Sequence, residues 1–208
     1  MLLAFLSIIL AYLVGSISSS YIIGLISGKV DMRAEPDGRV SAAAVYRKVG
    51  LWPYILAVIM DISLAIAAVT LARILTGSEA IMMLSAFAAV IGHNWSPFLK
   101  FKGGLGATTM CGAIGSMAYI PFVYGLCIAG VIFVATQKPG FSSGVGFASI
   151  SGFILLRNGF DILFLLPLAL LALMLLKRAQ LNRGPKVAAN SNIISLPEDS
   201  DHLKHKTN

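Results

Sequence analysis

Residues 105–136 read LGATTMCGAIGSMAYIPFVYGLCIAGVIFVAT and contain no charged side chain. How this run divides decides the fold. A helix needs about 20 apolar residues to cross a hydrocarbon core of about 30 Å, so the run is too long for one crossing. The break falls at Tyr119, Ile120 and Pro121, where a proline interrupts the apolar pattern. Division there predicts a short span over 105–118, about 21 Å at helical rise, and a second over 122–136. An undivided run would carry Lys138, Lys177 and Arg178 to the opposite face of the membrane.

The rest of the chain has the same character. Hydrophobic residues make up 57% of the 208 residues and charged residues 12%, with a mean hydropathy of +0.85, which marks an all-α integral membrane protein. Further spans are predicted over 2–26, 53–76, 80–95, 142–156 and 160–176, the last two divided at Arg157, Asn158 and Gly159. No basic region precedes the first span, so it reads as a retained helix rather than a signal peptide. Residues 1–183 form one membrane domain. Residues 184–208 are polar, without periodicity, and read as a disordered cytoplasmic tail.

Seven spans place the connections alternately on two sides, and charge tests the parity. Fourteen of the 16 Lys and Arg residues fall on one side and only Arg73 and Arg157 on the other. That bias sets the N-terminus outside and the C-terminus in the cytoplasm. The net charge of +7 is therefore a membrane-surface feature and does not point to nucleic acid. Cys111 and Cys127 lie in apolar runs as packing residues, and no His/Cys/Asp cluster has metal-ligand spacing.

One cytoplasmic connection differs from the rest. Residues 91–112 read IGHNWSPFLKFKGGLGATTMCG, where an apolar span stops at His93, passes Lys100 and Lys102, and restarts through Gly103, Gly104 and Gly106. Glycine lets backbone approach a ligand closely, and a helix starting near Leu105 would aim its free N–H groups at the same place as Lys102. This suits a phosphate or another anion; a glycine turn that merely packs helices tightly has the same spacing. Asp61 is the only carboxylate well inside a span, either a structural hydrogen-bonding group or part of an ion pathway. His93, at a span end, is a candidate base or an interfacial anchor. Neither G-x-x-x-x-G-K-[ST] nor His-x4-Asp occurs, which removes a nucleotide P-loop and the acyltransferase dyad recognised by sequence spacing.

Gly92-His93 followed by Phe101-Lys102-Gly103-Gly104-Leu105-Gly106-Ala107-Thr108 resembles the PlsY-type acyl-phosphate:glycerol-3-phosphate acyltransferases, whose pattern is G-H, seven residues, then F-K-G-G-K-G-V-A-T. The resemblance runs through residues 10–183. It includes residues 12–17 (YLVGSI), Asp31-x-Arg33, Arg47-x-x-Gly50, Asp61, the serines near 142–150 and Asn182-Arg183. It implies seven spans in the bacterial cytoplasmic membrane, acyl transfer from acyl phosphate to glycerol 3-phosphate giving lysophosphatidic acid, membrane lipid as surroundings, and neither cofactor nor metal. It further implies catalytic roles for Arg47, Lys102, Ser142, Ser143 and His93. Substrate or phosphate contacts are implied for Arg33, Asp37, Gly38, Arg39, Gly103, Gly104, Gly106, Lys177 and Asn182.

The chain also departs from the family pattern. Asp37 stands where the family has a serine, and Ala43 and Ala44 replace threonine and asparagine. Leu105 and Leu64 replace lysines, Lys177 replaces histidine and Gln180 replaces asparagine. Two readings follow: an acyltransferase, or a paralogue that binds an anionic or acylated lipid without turnover. A small transporter is a third, weakened by Asp61 being the only charge inside the bundle.

Overall fold

The computed structural model describes residues 1–34 and 40–183, except for the side chains of Ala34, Pro139, Asn182 and Arg183. All regular secondary structure among the described residues is helical, without strands. The helices are α1 (Leu2–Gly15), α2 (Ser19–Gly28), α3 (Ala42–Lys48), α4 (Leu51–Thr76), α5 (Glu79–Asn94), α6 (Ala107–Met117), α7 (Tyr119–Thr136), α8 (Pro139–Asn158) and α9 (Leu165–Arg183).

The run 105–136 does divide, and it divides at Ala118, between α6 and α7. Pro121 then sits in the first turn of α7, where a missing N–H costs no helical bond. Three boundaries differ from the sequence expectation. The first span is interrupted after Gly15 and restarts at Ser19, because the Ser18 side chain accepts the Tyr21 N–H and caps a new helix. The connection 27–52 contains α3, capped by Ser41 through Ala44 N–H at 3.4 Å. The last helix continues past the expected end at 176 to Arg183. The expected tail from 184 onward lies outside the described residues.

Five segments among the described residues are long and apolar enough to cross a membrane: Leu2–Gly28, Leu51–Thr76, Tyr119–Thr136, Gly140–Asn158 and Ile162–Leu181. The remaining two expected spans correspond to α5, of 16 residues, and α6, of 11. Short as it is, α6 lies at the centre. Met110, Ala113 and Ile114 are fully buried in a cluster with Val69 of α4, Val90 of α5, Ile150 and Ile154 of α8, and Leu166 and Leu170 of α9. By contrast α7 buries only Gly125 and presents Val131 and Val134 outward, as lipid-facing helices do. At its far end α6 is closed by Arg73, whose guanidinium donates to the Ser116 carbonyl at 3.0 Å. A cation there suits the negative end of the helix dipole.

The site end of the bundle depends on one close crossing. A Cβ on Gly15 of α1 would collide with the Ala89 backbone of α5, and one on Gly92 with the Tyr12 carbonyl and the Ser16 hydroxyl. Backbones meet here because small residues allow it, the usual means of helix association in lipid. Two hydrogen bonds lock the crossing: Ser96 Oγ donates to the Ser16 carbonyl at 2.6 Å, and Tyr12 Oη donates to the Trp95 carbonyl at 3.2 Å. The motif at residues 12–17 is thereby explained as a clamp on the C-terminus of α5. Gly92→Ala is expected to destabilise the purified protein by about 1–3 kcal/mol through overpacking, read as a lower melting temperature in detergent. Gly130→Ala, on a surface with nothing within 4 Å, leaves that temperature unchanged or raises it.

Candidate active site

The glycine-rich segment folds back over the end of α5. After Trp95 the chain makes a single 3₁₀ turn, Pro97–Leu99, and then places two successive non-glycine residues in the left-handed region, Lys100 at φ 52° and Phe101 at φ 63°. Such angles persist only where surrounding bonds enforce them. Here Phe101 N–H donates to the Ser96 carbonyl at 2.8 Å, and Lys102 N–H to that of Leu99 at 3.1 Å. Lys102 emerges exposed from the turn.

The three glycines each serve a different contact. A Cβ on Gly103 would strike the His93 carbonyl, so the turn lies backbone against backbone on the α5 terminus. One on Gly104 would stand 2.8 Å from His93 Nε2 and 3.2 Å from the Val40 carbonyl. Gly106, at φ 76°, is the N-cap of α6 and faces Asn94 Oδ1. Among the described residues no side chain caps α6, the condition an anion site at a helix N-terminus requires.

Beneath the turn lies a buried polar group. Asp61 of α4 is 2% exposed, and its Oδ2 accepts a hydrogen bond from Thr108 Oγ1 of α6 at 2.8 Å. His93 Nδ1 stands 3.7 Å from the other carboxylate oxygen. Asn94 is 0% exposed, and neither of its amide atoms has a hydrogen-bond partner among the described residues. Sequence reasoning left Asp61 without a partner because Leu64 occupies the lysine position on its own helix. The partners come from two other helices, which spacing along one chain does not reveal.

The predicted site residues fall into four groups. His93, Lys102, Gly103, Gly104 and Gly106 belong to the turn. Arg47 is on α3, whose buried Ala44 and Val45 pack with Met32, Val40 and Leu99, so the first connection is seated directly on the turn. Arg33 is exposed and grips Asp31 with two guanidinium nitrogens, at 2.6 Å for Nη2 and 2.9 Å for Nε, which holds the Asp31 carboxyl below its usual range. Asp37, Gly38 and Arg39 lie outside the described residues.

The fourth group comes from α8 and α9. Ser142 is buried and donates to the Lys138 carbonyl of its own helix at 2.9 Å. Ser143 lines a cavity of about 150 Å³ with Thr108, Cys111, Phe122, Phe147 and Ile150. Apart from Thr108 and Ser143 its walls are apolar, and it opens beside the start of α6; Arg47 and Lys102 are not among its lining residues. Lys177 is 2% exposed, with its ammonium 4.7 Å above the Trp95 ring, and Trp95 Nε1 donates to Gln180 Oε1 at 3.1 Å. The α9 terminus, which carries Asn182, is thus fastened to the entrance of the turn. Trp95 was not foreseen as the shared partner of Lys177 and Gln180. Among the described residues no group of His, Cys, Asp and Glu is arranged to hold a metal.

Known proteins share this architecture. The sequence pattern of the family described as glycerol-3-phosphate acyltransferase matches residues 5–184. A glycerol-3-phosphate acyltransferase of Shouchella clausii is 28% identical over 191 residues, 89% of this chain and 93% of the relative. Glycerol-3-phosphate acyltransferase 2 of Dehalococcoides mccartyi is 35% identical over 154 residues, 72% of this chain and 71% of its own length. Among solved structures, PlsY (YgiH), an integral membrane glycerol 3-phosphate acyltransferase in its glycerol 3-phosphate form, superposes with a TM-score of 0.76 at 25% identity. That match covers 86% of this chain and 90% of PlsY. With its central α6, its apolar outer helices and a family match spanning nearly all the described residues, this chain is a multi-pass membrane protein and belongs to the glycerol-3-phosphate acyltransferase family.

Proposed function

We propose that the protein transfers a fatty acyl group from an acyl phosphate to the sn-1 hydroxyl of glycerol 3-phosphate, giving lysophosphatidic acid for phospholipid synthesis and releasing inorganic phosphate. The observation that carries this reading is the juxtaposition at the start of α6. The glycine-rich turn with Lys102 leads into the first turn of α6, and Thr108 in that turn also lines an apolar cavity. A substrate with a phosphate head and an acyl tail has that division of polarity. Acyl phosphate is a mixed anhydride that carries its own activation, so the protein's tasks are alignment and charge stabilisation. Neither requires a cofactor or a metal.

In this reading Lys102, Arg47 and the free N–H groups of α6 neutralise phosphate oxygens. Gly103 and Gly104 keep the backbone low enough for them to do so, and Lys177 contributes from α9. Arg33 belongs to the same connection as Arg47, and Ser142 and Ser143 mark where the polar side meets the acyl cavity; substrate contacts of Asp37, Gly38, Arg39 and Asn182 remain those the family resemblance implies. Residues 1–183 form one domain in a bacterial cytoplasmic membrane with seven crossings, α5 and α6 being the two short ones. The N-terminus is outside, and the site faces the cytoplasm. The distribution of the basic residues supports that sidedness. Membership of an enzyme family favours turnover over the binding-only paralogue.

Purified protein supplied with palmitoyl phosphate and labelled glycerol 3-phosphate should form labelled lysophosphatidic acid. Lys102→Ala should lower kcat/KM about 100-fold, the order of effect seen on losing one charge-stabilising group. Saturable palmitoyl phosphate binding without product would instead identify the non-catalytic paralogue. Sidedness has its own check: with Cys111 and Cys127 replaced, a cysteine at Lys138 should react with an impermeant maleimide only after the cytoplasmic face is exposed. A cysteine at Arg157 should react in intact cells.

A further inference from the structure

Arg73 and Arg157, the two arginines set apart from the other basic residues, lie at the end of the bundle opposite the glycine-rich turn, and Arg157 lines a cavity there. We propose that this cavity, where the break between α6 and α7 meets the end of α8, holds the phosphate headgroup of an anionic phospholipid from the leaflet at that end.

The cavity has a volume of about 380 Å³, larger than the one beside Thr108. It forms where chain breaks meet. α6 stops at Met117 and α7 starts at Tyr119, while α8 ends at Asn158 and Gly159, at φ 75°, turns the chain away. Tyr119, Ile120 and Pro121 reach the cavity from α7, Ile154 and Arg157 from α8, and Leu163 from the 3₁₀ turn Ile162–Phe164.

The lining divides by polarity. Ile120, Pro121, Ile154 and Leu163 are apolar, while Arg157 and Asn158 supply a guanidinium and an amide. Among the described residues Arg157 makes no hydrogen bond or ion pair, so its five N–H donors have no protein acceptor. Glu79 and Asp161, the carboxylates at this end, do not pair with it; Asp161 instead accepts the Leu163 N–H at 3.3 Å and closes the 3₁₀ turn. On the α7 wall no side chain caps the helix, and the Tyr119 and Ile120 N–H groups have no acceptor among the described residues. Arg73 adds a second positive charge from the adjoining end of α6. Phosphate oxygens are the acceptors that suit an arginine with its donors free, since two parallel bonds can form.

The surroundings select a lipid over a dissolved anion. Leu156 and Phe160, next to the arginine and the amide in sequence, are 90% and 91% exposed, and Tyr119 and Ile162 are exposed as well. Apolar side chains bared in this way on a membrane bundle face acyl chains, and tyrosine is favoured at headgroup depth. A phospholipid places its phosphate on Arg157 and the first carbons of its chains against Ile120 and Leu163. A cation in the last turn of α8 also complements the helix dipole, but that role alone requires neither a cavity nor a particular anion.

The test places the full-length protein in phosphatidylcholine nanodiscs containing phosphatidylglycerol with a photoreactive group near its headgroup. Crosslinks mapped by mass spectrometry should fall on residues 117–121 and 154–163, and unlabelled phosphatidylglycerol should remove them. Arg157→Gln should lower their yield about tenfold, as loss of one charged hydrogen-bonding partner does. Ile120→Trp, which fills the cavity without altering charge, should lower the yield on 154–163 to a similar extent. Lys138→Gln, at the other end of the bundle, should leave it within about twofold.

Crosslinks that fall only elsewhere, or a yield that Arg157→Gln leaves unchanged, overturn the proposal. Equal losses in Arg157→Gln and Lys138→Gln overturn it too, since they report diffuse attraction of anionic lipid to basic residues. Inorganic phosphate that competes as well as phosphatidylglycerol identifies a free anion as the occupant and overturns the lipid. If Arg157→Gln fails to fold, Ile120→Trp decides: an undiminished yield in that variant rules the cavity out.

Discussion

A carboxylate inside a membrane bundle is tolerated only where other helices bring donors to it, since lipid offers none. Asp61 imposes that condition on this fold. Its position on α4 requires Thr108 at the first turn of α6 and His93 at the last turn of α5, and those two are the ends of the glycine-rich segment. The segment between them therefore spans two fixed posts. With its anchors set from below, the turn has little freedom above them, which is why consecutive left-handed residues at Lys100 and Phe101 can be sustained.

The same logic runs outward from the turn. Backbone contact between Gly103 and the His93 carbonyl fixes the height of the turn, and the clamp from Tyr12, Gly15 and Ser16 fixes the α5 terminus beneath it. Leu99 then offers its side chain to Val40, Ala44 and Val45, seating the first connection and α3. Each layer depends on the one below, and polar residues far apart in sequence arrive at one end of the bundle, some bonded directly, as Thr108 is to Asp61 and Trp95 to Gln180. Rigidity of this kind suits a reaction in which alignment supplies most of the rate.

The sequence made the class and much of the architecture readable, because apolar length and proline placement act locally: the division of 105–136 and the helices on either side of it follow from them. The family was readable from a handful of glycines and one lysine, since close backbone contacts admit almost no substitution. Two kinds of feature escaped. The Ser18 cap inside the first span and the Ser41 cap of α3 are local bonds that hydropathy does not register, and α9 runs on to Arg183 past the last apolar residue. The other kind is tertiary: the partners of Asp61, and the pairing of Trp95 with both Lys177 and Gln180. Side-chain meetings between α4, α5, α6 and α9 leave no pattern in any one helix.

That last pairing bears on the departures from the family pattern. Leu64 and Leu105 each remove a cation where the family carries one. Lys177 introduces one, on α9, and Gln180 one turn later changes with it. In the structure these two changes act on a single side chain: the ammonium of Lys177 lies over the face of Trp95, and Gln180 accepts from its indole N–H. Trp95 is also the C-cap of α5, and the face of its ring favours the cation lying over it. A lysine buried to this degree is held only by such compensation. Lys177 and Gln180 thus share Trp95 as a partner, and Lys177 brings a positive charge beside the end of α5 from which the turn carrying Lys102 starts.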